Sequence, residues 1–142
     1  MSDYDEDILT WSERQGALLR RRAAGELVND AELDWPNIAE EIEDVGRSQL
    51  NAVESLLRQA LTHMLKAEAW PTSRDAPNWR ADAIGFRIDA ASRYAPSMRQ
   101  RLNLAHIYHL ARHALPETMD GQAPMPVPET CPVTLDELLA EP

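Results

Sequence analysis

An apolar stripe at helical spacing runs through residues 35–65 and leaves this chain little alternative to α-helix. Trp35, Ile38, Ile42 and Val45 fall on one face, and the stripe resumes after Leu50 as Val53, Leu57, Ala60, Leu61, Met64 and Leu65. Asp34 followed by Pro36 is a start signal, because an Asp side chain caps free amides and proline fits a first turn. Pro71 closes the segment. Gly46 and Ser48 leave two readings open: one long bent helix to about Ala69, or two helices end to end.

The rest of the chain reads the same way. Tyr4, Ile8, Trp11, Gln15, Leu18 and Leu19 share a face of a helix from about Asp5 to Ala24. Acids at its start and Arg20, Arg21 and Arg22 at its end complement the helix dipole, and Gly25 is a suitable stop. A third helix runs from about Pro77 to Tyr94, with Asp89 and Arg93 placed to pair at i,i+4. A fourth runs from about Ser97 to Leu115. Residues 116–133 are proline-rich without helical periodicity and read as an extended strap. Thr134-Leu135-Asp136-Glu137 matches a capping box and opens a short helix over 134–140, too short to stand alone unless it docks on the body. Aromatic residues make up only 6% of the chain, so leucine, isoleucine and alanine must do most of the packing. The expectation is an all-α single domain over 1–142: an antiparallel bundle of about four main helices, crossed by the strap.

Charge narrows the function classes. The 142 residues carry a formal net charge of −10, which opposes the cationic footprint of a nucleic-acid binder. The distribution is uneven: residues 26–44 hold eight acids and no base, while 47–113 hold ten bases and five acids. One cysteine, Cys131, cannot form an internal disulfide. No apolar run reaches membrane-spanning length and no signal peptide is recognisable, so a cytoplasmic location is expected.

Few groups could carry chemistry. His106, His109 and His113 lie within about 60° of one another on a helix, but the outer two are about 10.5 Å apart along the axis. A metal site would have to combine His109 and His113 with His63 and an acid such as Glu41 or Glu40. No Glu-x-x-His sequence of the di-iron bundle type occurs. Glu40, Glu41, Glu43 and Asp44 read as a solvated helix face, with Glu43 able to pair with Arg47. Gln15 interrupts an apolar stripe and reads as a hydrogen-bonded core amide. Cys131 reads as a small anchor for the strap. Phosphate loops, dinucleotide fingerprints and zinc-cysteine arrays are absent.

Four blocks resemble a bacterial family known as domain of unknown function 29. They are Tyr4-Asp5-Glu6-Asp7 with Trp11, Gln15 and Leu18-Leu19; Asn37-Ile38-Ala39-Glu40-Glu41-Ile42-Glu43 with Gly46-Arg47-Ser48; His63-Met64-Leu65-Lys66 with Trp79; and Pro128-Glu129-Thr130-Cys131-Pro132 with Thr134 and Leu138-Leu139. A tryptophan usual after the Lys66 position is Ala67 here, and a tyrosine usual at Val133 is absent. The resemblance implies a helical fold and assigns no activity. It singles out Gln15, Glu40, Glu41, Glu43, Gly46, Arg47, Ser48 and His63 as residues to test.

The favoured expectation is a non-enzymatic interaction module: an acidic inhibitor or antitoxin-like partner of another protein, or a homodimer. No cofactor is expected. The alternatives are a metal-dependent enzyme using the His/Glu set, and a nucleic-acid binder using the arginines of residues 74–112.

Overall fold

Asp7 divides the first helix. The computed structural model describes residues 3–142, and Asp3–Glu6 (α1) ends where the Asp7 side chain accepts the Thr10 amide and caps Ile8–Ala23 (α2). One helix from Asp5 was expected; the local capping bond explains the break. At the other end Gly25 sits at φ 83°. The Glu26 amide reaches the Arg21 carbonyl and the Gly25 amide reaches that of Arg22, a Schellman ending that requires this left-handed residue.

Trp35–Ala69 (α3) is one unbroken helix of 35 residues, which decides between the two readings at Gly46. A single helical glycine costs only about 1 kcal/mol against alanine, too little to break a helix so well patterned on both sides. Ala76–Arg93 (α4) follows close to its expected limits. The expected helix over Ser97–Leu115 is shorter: a 3-10 turn occupies Pro96–Met98, and the regular helix is Leu104–His113 (α5). The Asn103 side chain accepts the His106 amide and starts α5 afresh. Leu135–Leu139 (α6) carries the expected capping box between Thr134 and Glu137. The fold is all-α, with no strand among the described residues.

The chain divides into two compact units, Met1–Arg47 and Ser48–Pro142. In the first, α2 runs antiparallel to the start of α3 around Trp11, Leu18, Leu33 and Ile38, with Tyr4, Leu19 and Val28 packed against them. In the second, Val53, Leu57, Leu61 and Leu65 of α3 meet Ala90 of α4, Ile107, Tyr108 and Ala111 of α5, and Leu138 of α6.

The 116–133 segment is pinned at several points. Met119 and Gln122 exchange backbone hydrogen bonds around Asp120 and Gly121, whose φ angles of 52° and 76° are both positive, as a tight primed turn requires. The Trp70 indole donates to the Gln122 carbonyl at 3.0 Å, and the Met125 amide donates to the Ala69 carbonyl at 2.9 Å. The Tyr108 hydroxyl donates to the Pro128 carbonyl. Arg87 donates to the carbonyls of Glu137 and Leu138 at 2.9 and 3.1 Å, so the free end of α6 is satisfied by a cation.

Candidate functional site

Within Met1–Arg47 the acidic block of α3 divides by helix face. Toward α2, Glu41 accepts the Tyr4 hydroxyl at 2.6 Å, and the Tyr4 ring stands edge-on to Trp11 with centroids 4.8 Å apart. That bond to a carboxylate, with desolvation and the Glu41 charge adding to it, pushes the Tyr4 phenol up to about 12. Asp34 accepts from the Trp11 indole at 2.9 Å and from the Asn37 amide at 2.8 Å. The Asn37 bond first, then that of Trp11, holds the Asp34 carboxyl below its ordinary value despite partial desolvation.

Gln15 completes this network and is only 7% exposed. Its amide nitrogen donates to the Glu32 carbonyl at 3.1 Å, and its oxygen accepts the Asp34 backbone amide at 2.9 Å. A polar side chain inside an apolar stripe thus ties α2 to the turn that launches α3.

On the opposite face Arg47 gathers Glu40 at 2.8 Å, Glu43 at 3.5 Å and Asp44, all by contacts within one helix. The Asp44 bond above all raises the guanidinium further above its ordinary value. The Glu43–Arg47 pair expected from spacing is present, whereas Asp89 and Arg93 form no ion pair among the described residues.

Between these faces α3 is bare. Ile42 and Val45, expected on a covered apolar stripe, are each 68% exposed. Gly46, Arg47, Ser48 and Gln49 after them are exposed too. A Cβ at Gly46 would meet nothing within 4 Å, so packing does not demand glycine there. Tyr4 of α1 meets this helix at Glu41, one turn before Val45.

In Ser48–Pro142 the histidines separate. His63 donates from Nδ1 to the Gln59 carbonyl at 2.8 Å, which assigns the proton to that nitrogen. Its Nε2 lies 3.8 Å from Asp82, and its ring tilts against Phe86 of α4. His106, His109 and His113 form an exposed row on α5, with successive centroids 6.4 and 4.2 Å apart. No group of three His, Cys, Asp or Glu side chains among the described residues is placed to hold a metal ion. His63 faces α4, the α5 histidines form a row of their own, and Glu41, the acid of the metal set sketched from sequence (His63, His109 and His113 with Glu41), accepts the Tyr4 hydroxyl. Cys131 is half-buried and donates its thiol to the Val133 carbonyl at 3.3 Å. Of the arginines in residues 74–112, Arg87 and Arg99 are engaged by α6, through backbone carbonyls and through Asp136. No helix among the described residues is long and apolar enough to cross a membrane.

Sequence reasoning missed the Tyr4–Glu41 and Trp11–Asp34 contacts, which join residues 37 and 23 positions apart and leave no local signal. It also missed the turn at Asp120-Gly121, which that dipeptide itself signals.

These features define an all-α protein with a small hydrogen-bonded helical pair and a bare helical segment. The chain belongs to the family described as domain of unknown function DUF29, which matches residues 4–142. It is similar to a solved structure described as an alpha-helical protein of unknown function from Rhodospirillum rubrum, at 29% identity and a TM-score of 0.67, covering 99% of this chain and 91% of that one. No curated protein matches.

Proposed function

We propose that this chain is a non-enzymatic protein-interaction module whose binding element is the bare stretch of α3 around Ile42 and Val45. The observation that carries this reading is the 68% exposure of both side chains within a block that also holds Glu40, Glu41 and Glu43. Burying an aliphatic side chain of this size stabilises by roughly 1.5–3 kcal/mol, so a partner that covers the pair gains directly. The surroundings set the partner's character. Met1–Arg47 holds thirteen acidic and five basic residues, a net charge of −8, which suits an apolar face edged with cations. The small core of this unit, four buried apolar side chains, gives a further reason to recruit cover.

The test is a photo-crosslinking residue at position 42 in living cells, with position 12, also exposed, as control. One discrete adduct from position 42 and none from position 12 supports the reading. Absence of any adduct specific to position 42 refutes it.

A further inference from the structure

A second exposed apolar pair lies on α4. Ile84 and Ile88 are 42% and 51% exposed and stand one turn apart on the same face. Arg80 lies one turn before Ile84 and Arg87 beside it, and both line a groove of about 430 Å³ with Met64 and Glu68. Arg80 makes no ion pair among the described residues. Among the described residues Arg87 donates only to carbonyls, so its charge is answered there by no bonded carboxylate. Glu68 is the single acid in the groove. Asp82 and Asp89, the acids within α4, project about 100° or more around the helix from both isoleucines.

The two exposed pairs are therefore opposite in charge. Glu41 stands one turn before Val45 on the same flank, whereas Arg47 lies on the opposite face, shared among Glu40, Glu43 and Asp44. We propose that the partner of the α3 stretch is a second copy of this chain: Ile42 and Val45 of one copy pack on Ile84 and Ile88 of the other, and the same contact forms in reverse about a two-fold axis. The proposal rests on the reading of α3 as a binding face and adds the identity of what covers it. Like-with-like pairing is disfavoured on both sides. Two α3 faces would bring together units of net charge −8, and two α4 faces would oppose Arg80 and Arg87 to their own copies. Unlike pairing joins apolar to apolar and acid to cation, and a two-fold arrangement uses each face once and closes.

The experiment is sedimentation velocity with light scattering on the full chain at low and high salt, for wild type, Val45→Arg, Ile88→Glu and an equimolar mixture of the two variants. All substitutions fall at exposed positions and introduce good helix formers, and circular dichroism checks that helicity is kept. If either variant loses helicity, Ile42→Arg or Ile84→Glu replaces it. The wild type is expected at about twice the chain mass of 16.0 kDa, moving toward 16.0 kDa as salt screens the contact. Each variant alone is expected at the single mass, because every contact then opposes like charges. The mixture is expected to recover the double mass. One of its two contacts is wild type on both sides, and the other brings the two substituted side chains, now of opposite charge, against each other. A wild type of single mass at all concentrations overturns the proposal. So does a double mass indifferent to both substitutions, or a mixture that stays at single mass. A single-mass chain that still crosslinks from position 42 to a different protein removes the second copy as partner and leaves the interaction reading standing.

Discussion

Replacing Gln15 by leucine tests whether one buried amide holds the first unit together. Leucine fills a similar volume, so the loss is one of hydrogen bonding. Two bonds vanish, from Nε2 to the Glu32 carbonyl and from the Asp34 amide to Oε1. Each is worth about 1 kcal/mol net, and a buried group left unpaired costs about 1–3 kcal/mol. Glu32 is exposed and Asp34 half-buried, so water relieves part of that penalty. Together these place the effect at about 2–3 kcal/mol, partly local to Met1–Arg47. Hydrogen exchange read by mass spectrometry resolves it by segment. At about 1.4 kcal/mol per tenfold, amides of α2 and of the Asp30–Asp34 turn should exchange about 30- to 150-fold faster, while peptides over Val53–Leu65 change little. Gln15→Glu keeps the acceptor but turns a carboxylate oxygen toward the Glu32 carbonyl, so it should be at least as damaging. A change below about threefold in α2 for Gln15→Leu would show that the amide is incidental and that apolar contacts alone set the opening energy.

Three further outcomes are expected. In an ultraviolet titration of the phenols, Tyr4 should ionise late, near 12, and Glu41→Gln should bring it back toward 10.0; because the folded pKa is raised, the associated stability is present below the unfolded value of 10.0 and is lost as pH rises toward 12. The Asp34 carboxyl is shifted the other way, so its contribution is present above its unfolded value of 3.8 and is lost as pH falls below it; Asn37→Ala should weaken the shift, seen as an upward move of the Asp34 carboxyl titration by NMR. Leu138 is 1% exposed, and Leu138→Ala should cost about 2–5 kcal/mol, read as a lower midpoint in urea and faster proteolysis of the strap and α6; an unchanged midpoint would mean that α6 is not part of the second core.

The helices were legible because their signals are local. Periodicity over Trp35–Leu65, Pro36 at the start, Gly25 after α2 and the Thr134–Glu137 box each act within a few residues, so composition and spacing carry them. Boundaries failed where a single side chain decided the matter: Asp7 splits the first helix and Asn103 starts the fourth late, and either residue could equally have stayed within a helix. The candidate site was legible only as a set of residues. Gln15, Glu40, Glu41, Glu43 and Arg47 were all in view, but the sequence does not say that Glu41 turns to Tyr4 while Glu40, Glu43 and Asp44 surround Arg47. Nor could it separate Ile38 from Ile42 and Val45, which share one stripe. Helical phase places all three on the same side, whereas burial depends on which other elements lie against that side. Sequence by itself determined where helices form and which faces are apolar, because backbone hydrogen bonding and amphipathicity are properties of a segment. Tertiary structure alone decided which part of an apolar face stays bare, because that depends on the reach of a distant segment across space.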